Sequence, residues 1–154
     1  MSEPTFRRAL EADLQAIIAL LGDDDIAKSR EGFQAELTGE VRVAFTEISG
    51  DVNNELWVAE LAGQVIATLQ LTIIPGLSRN GMRRGLIEAV RVHGEHRSKG
   101  IGELFMKHVI DRAKERGCGL VQLTTDVRRA AAQRFYLRLG FEPSHVGMKL
   151  KLPN

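Results

Sequence analysis

The sequence predicts a single α/β domain over residues 1–154, with a mixed central sheet flanked by helices. Three observations support this. Two apolar strands joined through Ala62-Gly63 make an antiparallel hairpin. From Gly85 onward the order strand, helix, strand, helix implies a parallel pair closed by a right-handed crossover. A chain of 154 residues has the length of one domain around one core.

The elements follow in order. Thr5 to Leu10 forms a short extended start, and Leu14, Ile17, Ile18 and Leu21 recur at helical spacing through Glu11 to Leu21. Gly22-Asp23-Asp24-Asp25 breaks that helix. From about Lys28 to Ile48, Phe33, Leu37, Val41 and Phe45 stand four apart, a weaker helical stretch polar enough to lie on the surface as a lid. Ser49 to Asn54 is a turn cluster, after which Leu56–Leu61 and Gln64–Ile74 form the hairpin. A loop over Pro75–Gly81 leads into Gly85–His93, predicted to be the central strand. Ile101, Leu104, Phe105, Val109 and Ile110 mark an amphipathic helix from Gly100 to Arg116, stopped by Gly117. Leu120–Thr125 reads as a strand, Ala130–Leu139 as a helix closed by Gly140, and Val146–Leu152 alternates like an edge strand.

Composition narrows the function. Hydrophobic residues at 44% and charged residues at 27% describe an ordinary globular protein, so disorder is excluded. With 21 basic and 20 acidic side chains the net charge is +1, which provides no global field for nucleic acid or a membrane surface. Cys118, the single cysteine, cannot close an intramolecular disulfide, and the N-terminus lacks a signal-peptide pattern. The longest apolar run, Val65–Ile74, is interrupted by Thr68, Gln70 and Thr72 and falls short of the roughly 20 residues of a membrane span. The expectation is a soluble, cytoplasmic protein with no nucleic-acid or membrane partner; a homodimer is left open.

The sharpest local signal is Arg97-Ser98-Lys99-Gly100-Ile101-Gly102, between a predicted strand and the long helix. At such a junction the first helical N–H groups have no intrahelical partners, and with the positive end of the helix dipole they suit a phosphate. Glycines allow a diphosphate to approach the backbone. The segment lacks the Lys-Ser or Lys-Thr of a nucleoside-triphosphate loop and the third glycine of a dinucleotide fingerprint. Taken alone, Gly100 and Gly102 would more often just tighten a turn; Arg97, Lys99 and the strand-to-helix setting favour the phosphate.

Arg97, Gly100 and Gly102 fit, in register, the hallmark of the GNAT superfamily of acyl-CoA-dependent N-acetyltransferases: Gln or Arg, two residues, Gly, one residue, then Gly or Ala. Ile87-Glu88-Ala89-Val90-Arg91-Val92-His93 is similar to the family's fourth strand, and Arg134 to Phe141 to its later helix. The likeness covers residues 55 to 152 well and residues 1 to 54 in outline. A narrower likeness to small-amine acetyltransferases, including aminoalkylphosphonate acetyltransferase, runs from Leu123 to His145. The resemblance implies acetyl-CoA as co-substrate, its pyrophosphate on the amides of Arg97, Ser98, Lys99, Gly100, Ile101 and Gly102, and its pantetheine arm beside Val90, Arg91 and Val92 as an added strand. It also implies that the strand after the helix pairs with its neighbour near one end only.

An alkylammonium has a pKa of about 10, so an amine acceptor must lose a proton before it attacks a thioester. Glu88 interrupts an apolar strand, which suits a carboxylate to accept that proton through water; an outward-facing residue paired with Arg91 or a neighbour is the alternative. The resemblance further implies a backbone N–H near Val90 for the oxyanion and Tyr136 as the acid that protonates departing thiolate, against a Tyr136 that merely packs. Where many members carry an asparagine seven residues before the tyrosine, this chain has Arg129. Arg128 and Arg129 read as a phosphate contact or an exposed basic pair, and Arg79, Arg83 and Arg84 as acceptor-facing or solvated. His93 and His96 with Glu95 are disfavoured as a metal site, and no metal is expected. Cys118 reads as packed, His108 as solvated, and His145 as too thinly supported to assign. The predicted activity is therefore transfer of an acetyl group to the primary amine of a small molecule. A peptide acetyltransferase, a non-catalytic CoA-binding sensor and a nucleic-acid module are the rivals, the last lacking an aromatic platform.

Overall fold

Ala62 and Gly63 both hold left-handed backbone, with φ of 50° and 81°. Such a two-residue turn matches the twist of a hairpin, so β2 (Asn54–Leu61) and β3 (Gln64–Ile74) pair antiparallel as expected. The computed structural model describes residues 3–23 and 36–153; the first part of the predicted lid helix, with Phe33, lies outside the described residues. The chain forms two compact units, residues 1–122 and 123–154.

In the first unit, β1 (Thr5–Arg8) pairs with β2, and β4 (Arg83–Val92) pairs antiparallel with β3. The edge strand β5 (Cys118–Gln122) joins β4 in parallel, giving a mixed five-stranded sheet in the order β1-β2-β3-β4-β5. The middle place falls to β3 and not to β4. Ile66, Ala67, Leu69, Leu71 and Ile73 of β3 are at most 1% exposed, because helices cover both of its faces.

Alternation along β1 assigns those faces. Phe6 points to α3 (Ile101–Glu115), where its ring stacks on Phe105 at 5.4 Å, and α3 buries Ile101, Phe105, Met106, Val109 and Ala113. Gly85 of β4 admits this helix closely; a Cβ there would lie 3.4 Å from Ala113 Cβ and 3.3 Å from Leu71 Cδ1. The neighbouring Arg7 points the other way and bonds both carboxylate oxygens of Asp13, at 2.7 and 3.0 Å. Asp13 opens α1 (Leu14–Leu21), which buries Leu14, Ile17, Ile18 and Leu20 and packs on β3 and β4. Each such side chain removed from water contributes about 1.5–3 kcal/mol.

The helix α2 (Gly39–Gly50) is capped by Thr38, whose Oγ1 accepts the Val41 N–H at 3.3 Å. It runs into the expected turn cluster as far as Gly50; Asp51 then accepts the Asn53 N–H at 2.8 Å and turns the chain into β2.

In the second unit, α4 (Ala130–Arg138) ends as predicted, with Gly140 left-handed at φ 99° and the Phe141 N–H donating to Tyr136 O at 3.1 Å. Val146–Leu152 was expected to be an edge strand, but no strand occurs there. Its alternation makes an apolar face, yet Val146, Met148, Leu150 and Leu152 are 75–89% exposed. A strand also needs a neighbour's ladder of hydrogen bonds, which a period of two does not supply. Among the described residues no helix is long and apolar enough to cross a membrane.

Candidate active site

The parallel ladder between β4 and β5 is short. Arg83 pairs with Cys118, Arg84 with Leu120, Gly85 with Val121 and Leu86 with Gln122; beyond Leu86, β4 continues with β3 alone. The two strands therefore part, and the strand expected over Leu120–Thr125 ends at Gln122 because its partner has diverged. This bears out the one-ended pairing that the resemblance implied.

Where the strands part, β4 bulges. Gln70 faces Glu88 and Thr68 faces Arg91, so Leu69 alone spans Ala89 and Val90. Ala89 holds φ 55°, a left-handed conformation that costs a residue with a Cβ roughly 1–2 kcal/mol. Past the bulge, the His93 N–H donates to Ile66 O at 2.7 Å. Alternation then turns the peptide groups of Val90 and Val92 to the opening. Side chains confirm the direction: Arg91 Nη1 donates to Val90 O at 2.8 Å and Arg97 Nε to Val92 O at 3.0 Å. A carbonyl oxygen has a second lone pair, so this edge can still accept from an extended amide chain while the N–H of Val92 donates to it and that of Val90 stays available as a further donor.

At the end of β4 the chain makes a single 3-10 turn, Gly94–His96, and enters the loop before α3. Ser98 and Gly100 are left-handed at φ 63° and 82°, an alternation that gathers successive N–H groups into a concavity suited to an anion. Gly100 caps α3 without a side-chain acceptor, and the buried Ile101 anchors the helix start. The first-turn N–H groups thus point outward beside the positive end of a 15-residue helix.

Glu88 is exposed on the face opposite Ile87. Its expected apolar setting is thereby corrected: strand alternation sends Ile87 into the core and turns Glu88 out, as the outward-facing alternative had it. Tyr136 lies in the second unit, half-buried on α4, with Phe135 and Phe141 edge-on at 5.3 and 5.9 Å.

Several residues have other duties. Arg83 and Arg84 stand at the start of β4, where it is still paired with β5, and Arg83 Nη1 donates to Arg116 O at 3.2 Å, so they do not face the opening; Arg79 lies exposed in the single helical turn Ser78–Gly81 before β4. Arg128 Nε and Nη2 grip Asp126 at 3.0 and 2.8 Å, which favours a local structural role. His108 is exposed, as expected, with Phe6 and Trp57 beside its ring at 5.1 and 5.2 Å. Burial pushes the Cys118 thiol up, which fits a packed and unreactive group. Donor atoms of His93, Glu95 and His96 come within 4.8 Å of one another, closer than the sequence suggested. His93 Nδ1, however, accepts the Glu95 N–H at 3.2 Å, and a neutral imidazole has only one such lone pair to offer a metal.

Sequence reasoning missed Asp23, whose carbonyl accepts from Arg97 Nη2 at 3.2 Å across 74 positions; no local pattern marks so distant a pair.

The model of the acetyltransferase (GNAT) family matches residues 16–141. The chain belongs to the GNAT family. GNAT enzymes take acetyl-CoA as co-substrate, and the mixed sheet with flanking helices is their fold. The chain is 43% identical to a transcriptional regulator from Bacillus halodurans C-125, with a TM-score of 0.92 over 97% of this chain and 100% of that one. It is 25% identical to the glucosamine 6-phosphate N-acetyltransferase of Trypanosoma brucei brucei, over 92% of this chain and 91% of the relative. To the aminoalkylphosphonate N-acetyltransferase of Salmonella typhimurium it is 27% identical, over 90% and 85%.

Proposed function

We propose that this GNAT protein acts as one functional domain over residues 1–154, a cytoplasmic enzyme that transfers acetyl from acetyl-CoA to the primary amine of a small molecule. The observation that carries this reading is the opening between β4 and β5, with the bulged strand edge at Val90–Val92 on one side and the Arg97–Gly102 loop at its end. An extended pantetheine amide chain suits the first and a diphosphate the second.

In the proposed reaction the amine nitrogen attacks the thioester carbon directly, in a ternary complex. The N–H of Val90 steadies the oxyanion, Glu88 takes the ammonium proton through water, and the C–S bond breaks as the Tyr136 hydroxyl protonates the thiolate. The exposed carboxylate of Glu88 is in contact with the solvent that such a relay needs. Relatives named for glucosamine 6-phosphate and aminoalkylphosphonates support a small acceptor in which the amine accompanies an anionic group.

The neighbour described as a transcriptional regulator supports a second reading, a CoA-binding regulatory domain without turnover. Thiol release from acetyl-CoA, measured over amino sugars, aminoalkylphosphonates, polyamines, amino acids and peptides, separates the two. Release with one small-amine class establishes the enzyme. Tight acetyl-CoA binding with no release over the panel favours the regulator.

A further inference from the structure

Arg97 belongs to the phosphate-binding loop by position, but its guanidinium turns back from it. Nε donates to the carbonyl of Val92 at 3.0 Å and Nη2 to the carbonyl of Asp23 at 3.2 Å. The Asp23 carboxylate is 3.9 Å away, and both side chains are about half exposed, so the ionic component is largely screened. What remains is a planar fork holding two backbone carbonyls. Val92 ends β4 and Asp23 follows α1, so one side chain fastens together two elements at the base of the loop.

Ser98 comes next, left-handed at φ 63° although it carries a Cβ, and such a conformation persists only where its surroundings determine it. On the far side the buried Ile101 pins the loop to the core. Arg97 is the corresponding pin on the near side. We propose that Arg97 is a positioning residue: its clasp on Val92 and Asp23 holds Ser98 and Gly100 in the left-handed conformations that aim the loop N–H groups at the CoA diphosphate. This rests on the reading of the loop as the diphosphate site. The contribution of Arg97 to binding is geometric and not a charge laid against phosphate, and lysine, a point charge on a flexible stem, cannot replace the fork.

The test compares Arg97→Lys, Arg97→Gln and Arg97→Ala with the parent protein, by steady-state kinetics in acetyl-CoA and by amide hydrogen exchange at residues 98–102 without ligand. The clasp predicts that lysine and alanine both raise KM for acetyl-CoA about tenfold with kcat held within about twofold, as expected for lost preorganisation of a binding loop. Exchange at 98–102 should quicken in both, and glutamine, which keeps one planar amide donor, should fall between them and the parent. If lysine matches the parent in KM and exchange while alanine does not, charge is what matters and the clasp is overturned. Unchanged exchange in every variant overturns it too, even where the parent binds CoA well. Quickened exchange in the variants of a parent protein that itself binds no CoA would leave the clasp standing and remove the phosphate-site reading instead.

Discussion

Arg112 of α3 grips the carboxylate of Glu55 of β2 with both arms of its guanidinium, Nε on Oε1 at 3.0 Å and Nη2 on Oε2 at 2.8 Å. Glu55 is 1% exposed, and Arg116 Nη1 at 2.7 Å, Trp57 Nε1 at 3.0 Å and Arg8 at 3.4 Å complete its surroundings. Burial alone pushes this carboxyl up; the bonds from Arg112, Trp57 and Arg116 and the charge of Arg8 outweigh it and bring it down to about 2. A lowered folded-state pKa contributes stability that is present above the unfolded value and lost as pH falls through the folded one. The protein should therefore lose on the order of 3 kcal/mol from this group between about pH 4.5 and pH 2. Urea denaturation across that range checks it, and Glu55→Gln should flatten that dependence while costing about 1–3 kcal/mol at pH 7 by taking the charged acceptor from the half-buried Arg112 and Arg116.

Gly85 sets the distance between β4 and α3. A valine there would drive its methyl groups into Leu71, Ala113 and Val121, whose atoms already lie 3.3–3.6 Å from the place of a Cβ. Gly85→Val should destabilise by about 1–3 kcal/mol, read as a lowered denaturation midpoint with unchanged slope.

The bulge depends on the left-handed Ala89. Glycine takes that conformation without strain, so Ala89→Gly should keep stability within about 1 kcal/mol and preserve acetyl-CoA binding, since relief of strain offsets the added chain entropy. A β-branched residue resists it, and Ala89→Val should cost about 1–3 kcal/mol and weaken acetyl-CoA binding measured by calorimetry.

Glu88 and Tyr136 have separable roles in the proposed reaction. Glu88→Gln should lower kcat/KM about a hundredfold with an alkylamine of pKa near 10, and less with an α-amine of pKa near 8, which holds about a hundredfold more of its neutral form at the same pH. Tyr136→Phe should lower kcat by about a hundredfold irrespective of amine basicity, because protonation of the thiolate does not involve the acceptor. Equal losses for both amines in Glu88→Gln would remove its role as base.

Much of this was legible in the sequence because it is local. The hairpin follows from Ala62-Gly63, and the long helix from apolar spacing between two glycines that proved to be left-handed, Gly100 at its start and Gly117 after its end. The loop at 97–102 was recognisable because its chemistry resides in backbone at a strand-to-helix junction. What the sequence hid depends on partners far along the chain. Glu55 and Arg112 stand 57 positions apart, and a charged residue in a strand gives no sign that it will be buried. The exposure of Glu88 follows from which face of β4 the helix α3 covers. Val146–Leu152 shows the converse: its alternation is clear, but pattern alone does not supply a neighbouring strand.

Titration of the 15N-labelled protein with acetyl-CoA, followed through backbone amide resonances, tests whether acetyl-CoA lies along the opened edge of β4 with its diphosphate on the loop before α3. The largest shifts should fall at Val90, Val92 and residues 98–102, with smaller ones at the start of β4 and around Glu55. Saturating acetyl-CoA that leaves those amides unmoved, or shifts confined to the Arg83 end of the sheet, would contradict it.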